Sequence, residues 1–188
     1  MELYSDIDHI RRIQAGDPAG FTGLIDRYGA GVHAFIFRMV RNREDAEELT
    51  QDVFLKAFRG LNGFRGESGF STWLYRIAYH TAVSEMRKRK QEFLAIDETL
   101  LALAPDEKPG GAFALVDEAE QLLRLDRALA QLPPEDQALI LFFYMEEKKV
   151  EEIASATGLS LSNVKTRLHR IRKKLYVLLT EMEKKDNE

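Results

Sequence analysis

Basic side chains are concentrated in two short stretches of this 188-residue sequence. Six lysines and arginines and no acidic residue lie between Val164 and Leu175, and four consecutive cations run from Arg87 to Lys90. Clustered cations of this kind bind nucleic-acid phosphates and displace their counterions. The net charge of −4 is unusual for a DNA-binding protein, but the clustering predicts where phosphates would bind better than the total charge does.

The basic stretch from Val164 to Leu175 follows a run of residues typical of a helix-turn-helix. Ala154 is small enough for a close helix crossing, Gly158 can take the left-handed conformation that ends a helix, and Ser160 can cap the next one. The following apolar residues recur at helical spacing and predict the buried side of the second helix: Val164, Leu168, Ile171, Leu175 and Leu178. Other side chains of this helix would face a DNA major groove, namely Lys165, Thr166, Arg167, His169, Arg170 and Lys173.

Acidic side chains form a second kind of surface, on a helix predicted to begin near Arg43. Small and apolar residues at helical spacing predict its buried stripe: Ala46, Leu49, Val53 and Ala57. Asp45, Glu48 and Asp52 fall on a different face. Such a face either steers the chain toward a basic protein partner or is an ordinary solvated surface, and the residue types allow both interpretations.

Aromatic residues precede the basic stretch from Arg87 to Lys90. They occupy a glycine-rich loop from Gly60 to Gly69 and a helix predicted to start at Phe70 and to run into the basic residues. Phe64, Phe70, Trp73 and Tyr75 suit either a protein core or a site that holds unstacked bases.

Long helical periodicity positions all of these residues. No run of alternating polar and apolar residues is bounded by hairpin turns, so we predict an all-α fold. Further helices are expected to end near Gly16, to run from about Pro18 to Arg41, to end at Leu132 and to start at Pro134 or Glu135. An acidic stretch with proline and glycine is typical of a flexible linker between two small helical domains. The predicted division is 1–92, 93–119 and 120–188.

Several classes of protein are disfavoured. Cysteine is absent, which removes disulfides, thiolate metal sites and cysteine nucleophiles. The histidines are not at metal-ligand spacing (His9, His33, His80 and His169), and no phosphate-binding glycine loop or catalytic triad pattern occurs. We therefore expect no metal, no cofactor, no small-molecule substrate and no catalytic activity. A signal peptide and a membrane-spanning run are not evident, which predicts a cytoplasmic protein.

Three motifs together resemble a known family. They are Asp45–Phe54 (DAEELTQDVF), Phe70–Ala78 (FSTWLYRIA) and the helix-turn-helix with Val164–Leu168 (VKTRL). In this order, and over nearly the whole chain, they resemble the extracytoplasmic-function sigma factors of bacterial RNA polymerase. The resemblance implies sigma domain 2 over 1–92 and sigma domain 4 over 120–188, without a sigma domain 3.

The resemblance also implies partners and roles. The acidic helix would bind the clamp helices of the polymerase's largest subunit through Asp45, Glu48, Gln51 and Asp52. The minus-ten promoter element would contact Phe64, Arg65, Ser68, Phe70, Ser71, Thr72, Trp73, Tyr75, Arg76, His80, Arg87 and Arg89. The minus-thirty-five element would contact Ser160, Ser162, Asn163, Lys165, Thr166, Arg167, His169, Arg170 and Lys173. Sigma domain 4 would also bind the polymerase flap, and an anti-sigma factor, often membrane-anchored, would regulate the protein in an envelope or other stress response.

The sequence departs from the family pattern at two positions. His80 and Ser84 stand where the family usually has an asparagine and an aspartate, which affects the minus-ten bases that the chain would prefer. The main alternative is a conventional helix-turn-helix regulator whose N-terminal half senses a ligand and which binds an operator as a dimer without polymerase. The N-terminal half has no ligand-pocket or receiver pattern. A nucleic-acid enzyme is a further alternative that the missing catalytic patterns disfavour.

Overall fold

The computed structural model describes residues 5–89 and 118–186, and over these residues the chain is helical with no β-strand. The predicted all-α fold is confirmed. The first four helices are α1 (Asp6–Gln14), α2 (Gly20–Val40), α3 (Arg43–Gly60) and α4 (Phe70–Lys88), with a 3-10 turn at Leu61–Gly63. The later four are α5 (Glu118–Ala130), α6 (Pro134–Tyr144), α7 (Val150–Thr157) and α8 (Leu161–Asp186).

Local side chains set the helix ends. At the start of α1, Ser5 and Asp8 form a reciprocal capping box. The side chain of Asn42 accepts a hydrogen bond from the Asp45 backbone N–H at 3.0 Å and so caps α3. Pro134 occupies the first turn of α6, where its missing N–H costs no hydrogen bond. The starts predicted near Arg43, at Phe70 and at Pro134 are confirmed.

The helices form two compact units. The first contains α1 to α4 together with α7, and the second contains α5, α6 and α8. Within the first unit the Thr72 hydroxyl lies 3.2 Å from a carboxylate oxygen of Glu152 on α7. The predicted linker 93–119 and the domain boundary at residue 92 fall almost wholly outside the described residues, and the domain limits stay predictions.

The core of the first unit lies among α2, α3 and α4. Ala46, Val53 and Ala57 of the predicted α3 stripe are fully buried, whereas Leu49 is only half-buried. α1 crosses α2 so closely that a Cβ atom on Gly23 would lie 2.2 Å from the His9 ring. His9 is accordingly a core histidine.

The core of the second unit is built by α5 and α6 against α8. Leu139 and Phe142 of α6 are almost completely buried. The stripe predicted on α8 is confirmed, since every member is at most 3% exposed: Val164, Leu168, Ile171, Leu175 and Leu178. The opposite side of α8 therefore faces outward.

Candidate nucleic-acid and protein interfaces

The start of α8 has the geometry that its residue types predict. Gly158 has φ +77°, a left-handed conformation that glycine adopts at no steric cost. The Ser160 hydroxyl accepts a hydrogen bond from the Asn163 backbone N–H at 3.2 Å, which satisfies one of the unpaired N–H groups at the start of the helix. The turn thus fixes where the outward face of α8 begins.

Most of the residues predicted to read the minus-thirty-five element lie on that outward face. Lys165, Thr166, His169 and Arg170 are exposed, and Lys173 is half-buried. Ser160, Ser162 and Asn163 are exposed at the N-terminal end of the helix. An exposed cationic helix of this length fits a DNA major groove and its flanking phosphates.

The guanidinium of Arg167, another predicted contact, has a well-defined partner inside the protein. It donates a 2.6 Å hydrogen bond to Asp136 Oδ1, and Lys174 donates at 2.9 Å to Asp136 Oδ2. The Asp136 side chain is only 7% exposed. Sequence reasoning missed Asp136, since an acidic residue in the first turn of a helix is expected simply to offset the helix dipole.

The acidic face on α3 is partly neutralised by its own neighbours. Glu48 and Gln51 are exposed. Asp52 pairs with Lys56 at 2.6 Å, and Asp45 pairs with Arg89 at 2.8 Å. Of the four residues in the predicted polymerase contact, Glu48 and Gln51 therefore lie on the surface. The other two are each held in an ion pair.

Arg89 connects the end of α4 to the start of α3. Besides Asp45 it contacts Glu85 at 3.4 Å and the Val40 carbonyl oxygen at 3.4 Å. Its side chain is 27% exposed. Arg89, one of the residues predicted to bind minus-ten DNA, is thus held in an ion pair. Arg87, in the same basic stretch, is exposed.

Three residues predicted to contact minus-ten DNA belong to the core. Phe70, Thr72 and Tyr75 are 3%, 5% and 4% exposed. The Phe70 ring lies 5.7 Å from that of Trp73 and 6.0 Å from that of Phe64, so it supports both from beneath. Trp73 and Phe64 are half-buried and are the aromatic residues of this set that reach the surface.

A groove of about 560 Å³ runs between α3 and α4. Trp73, Arg76 and His80 of the predicted minus-ten contact line it, and so does Asp52 of the acidic face. Partial burial and the positive charge of Arg76 lower the pKa of His80, which favours the neutral imidazole. Arg65 is exposed, and Ser68 and Ser71 are half-buried.

The part of the chain that the structure describes contains no group of three or more histidine, cysteine, aspartate or glutamate side chains placed to hold a metal ion. None of its helices is both long enough and apolar enough to span a bilayer.

Comparison with known proteins decides the family. The model of the family Sigma-70 region 2 matches residues 24–92, and that of Sigma-70, region 4 matches residues 122–175. The chain is 30% identical over 178 residues to the ECF RNA polymerase sigma-E factor of Escherichia coli K12, covering 91% of this chain and 92% of that protein. The chain belongs to the extracytoplasmic-function sigma factors. As a sigma factor it directs RNA polymerase to promoters for the initiation of transcription.

Other similarities agree with this assignment. The RNA polymerase sigma factor YlaC of Bacillus subtilis is 34% identical over 166 residues, covering 84% of this sigma factor and 91% of the relative. The fold is similar to that of the sigma factor RpoE of Bartonella quintana in its complex with the anti-sigma factor NepR, with a TM-score of 0.62, 22% identity and coverage of 85% and 96%. Region 2 occupies the part of the chain where the alternative regulator would carry a sensing domain.

Proposed function

We propose that this sigma factor binds core RNA polymerase through α3 and reads two promoter elements with surfaces in its two separate units. The acidic face would contact the clamp helices of the largest polymerase subunit through Asp45, Glu48, Gln51 and Asp52. An acidic face accelerates and orients association with a basic partner, with less effect on the final affinity. Sigma domain 4 would add a contact with the polymerase flap.

The minus-ten element would bind at the groove between α3 and α4. The accessible members of the predicted set are Phe64, Arg65, Ser68, Ser71, Trp73, Arg76, His80 and Arg87. Phe70, Thr72 and Tyr75 would hold this surface in shape from beneath. A base that leaves its stack costs a few kcal/mol, which aromatic stacking and hydrogen bonds to the exposed base edges would offset.

The minus-thirty-five element would bind along α8. Lys and Arg side chains would fix the register on phosphates, while a few side chains test base edges in the major groove. The accessible members of the predicted set are Ser160, Ser162, Asn163, Lys165, Thr166, His169, Arg170 and Lys173.

Two domains, 1–92 and 120–188, would be joined by a tether over 93–119, and this organisation would let the two promoter contacts cooperate. Each promoter contact alone would be weak, and polymerase would hold the two domains at the promoter spacing so that their contacts act together through effective concentration. The sigma factor would catalyse no reaction itself and would act in the cytoplasm.

Regulation by an anti-sigma factor, in an envelope or other stress response, completes the proposal. The similarity in fold to RpoE in its complex with the anti-sigma factor NepR supports it. Such a partner would mask the surfaces that bind polymerase.

The observation that carries the proposal is the separation of charge between two exposed helical surfaces, with Glu48 in one unit and Lys165 and Arg170 in the other. Run-off transcription with purified core polymerase on a promoter library tests it. We expect this sigma factor to impose start-site selection, and its footprint without polymerase to be much weaker than that of the holoenzyme. An equally strong footprint by the chain alone would support the conventional regulator instead.

A further inference from the structure

Asp136 contacts α8 through Arg167 and Lys174 and belongs to neither predicted DNA surface. We propose that it is a positioning residue for upstream promoter recognition, acting through Arg167 and Lys174 to fix the rotation of α8 about its axis. The inference rests on the proposed function of α8 as the reader of the minus-thirty-five element.

The contacts of Asp136 use both of its carboxylate oxygens. Oδ1 accepts from the Arg167 guanidinium at 2.6 Å, and Oδ2 accepts from the Lys174 ammonium at 2.9 Å. The residue stands in the first turn of α6, where the next residues, Gln137, Ala138 and Leu139, are buried as well. The carboxylate is therefore attached to a buried part of the second unit's core.

The two cations have a spacing that resists rotation of α8. Arg167 and Lys174 are seven residues apart, which is close to two helical turns, so they project from nearly the same side of the helix. That side flanks the buried stripe containing Leu168 and Ile171. Apolar packing tolerates small rotations, whereas charge-assisted hydrogen bonds are short and directional. Asp136 thereby determines which way Lys165 and Arg170 point.

Asp136 also restricts where positive charge can go. Without Asp136, Arg167 and Lys174 would be two mobile cations on a helix that is proposed to bind DNA. Such cations raise the affinity for any DNA sequence. With both held on one carboxylate, binding depends more on the side chains that test base edges. Asp136 would thus increase specificity at the expense of general affinity.

The test uses the Asp136→Asn variant of the full chain with core polymerase. Wild-type holoenzyme first selects its preferred upstream sequence from a duplex library randomised in that segment, and the selected duplex is compared with a shuffled one. We expect the ratio of the two affinities to fall about tenfold, the loss of one well-placed base contact. Affinity for the shuffled duplex should rise, and the slope of log K against log salt should steepen by roughly one to two, because up to two further phosphates are neutralised.

The matched control is Glu181→Gln, which removes the same charge from an exposed position near the far end of α8. It should leave the ratio and the salt slope unchanged. A merely structural role for Asp136 would lower the unfolding temperature alone, so both variants are measured below the temperature at which either begins to unfold.

The possible failures are distinguishable. If the wild-type holoenzyme selects no upstream sequence, the proposed function of α8 is wrong. If it selects one and folded Asp136→Asn keeps the wild-type ratio, only the positioning role is wrong. Should Asp136→Asn not fold, Lys174→Met leaves Arg167 paired with Asp136 and is measured in its place; a reduced ratio supports the inference, and an unchanged ratio overturns it.

Discussion

Two carboxylates in this sigma factor make similar pairs in different surroundings. Asp45 and Asp136 each stand in the first turn of a helix, and each binds an arginine that sequence reasoning assigned to DNA. The Asp45–Arg89 pair is 38% and 27% exposed, whereas the Asp136 carboxylate is 7% exposed. Water reaches both members of the first pair, whereas in the second it reaches Arg167, which is 35% exposed, but hardly the carboxylate.

The difference in burial separates a replaceable contact from a structural one. Exposed ion pairs contribute about 0 to 1 kcal/mol, so polymerase or DNA could exchange for either partner of the Asp45–Arg89 pair at little cost. Removing one member of a buried pair costs roughly 3 to 5 kcal/mol, because the remaining charge is left without a partner. The same ion-pair chemistry would thus be exchangeable in the first unit and structural in the second.

The largest expected effect on stability is that of Asp136→Ala. It should lower the free energy of unfolding by about 3 kcal/mol, the lower end of the range for a buried pair, since Arg167 and Lys174 keep partial access to water. Urea unfolding of the full chain measures this. A loss below about 1 kcal/mol would place Asp136 in the same class as Asp45 and remove the contrast.

Charge reversal on the acidic face should act on binding instead of stability. Asp52→Lys is expected to weaken binding of core polymerase by roughly tenfold, because it reverses the electrostatic attraction and repels a basic partner. Titration of labelled sigma factor with core polymerase measures the affinity, and Asp26→Lys reverses an exposed charge on α2 as the control. Equal affinities for both variants would mean that the acidic face is only solvated surface.

Asp45→Asn sharpens the comparison with Asp136 directly. Its free energy of unfolding should change by less than about 1 kcal/mol, since the pair with Arg89 is exposed to solvent. Arg89 would keep its longer contacts with Glu85 and the Val40 carbonyl oxygen but lose its shortest ion pair, so holoenzyme affinity for non-promoter DNA should rise slightly. Urea unfolding and a salt titration of DNA binding give both quantities. A loss comparable to that of Asp136→Ala would show that burial does not separate the two pairs.

The smallest expected effect concerns His80 and pH. Burial and the charge of Arg76 lower its pKa in the folded state, so as the pH falls the unfolded chain binds a proton first. The stability contributed by neutral His80 is therefore complete above its ordinary pKa of about 6.5 and is lost as the pH falls toward the lowered value. His80→Gln should lose less stability than wild type between pH 7.5 and 5.5, measured by urea unfolding. Identical losses would contradict this.

Local features of the fold could be predicted from the sequence because their causes lie within a few residues. The turn at Gly158, the cap at Ser160 and the start of α6 at Pro134 each follow from side-chain and backbone chemistry close by. The buried stripe of α8 likewise follows from helical spacing. The resemblance to the family also lay in local motifs, three of which occur in order.

Contacts between distant residues could not be predicted in this way. Arg167 and Asp136 are 31 residues apart, and nothing in the spacing of either indicates the other. Phe70 and Tyr75 have residue types that suit a core and a base-binding surface equally well, and only the packing of α2 and α4 shows that they are buried. Charge and aromatic content locate a surface, but burial decides which of its residues are available.

The most direct test of the account is a library of promoters with both elements randomised, transcribed by holoenzymes that carry a single substitution in one unit. Arg76→Ala and Arg170→Ala are suitable, because both side chains are exposed and lie in different units. We predict that Arg76→Ala changes the preferred sequence only at the minus-ten element and Arg170→Ala only at the minus-thirty-five element. Changes at both elements from either substitution, or at the opposite element, would contradict the assignment of one promoter element to each unit.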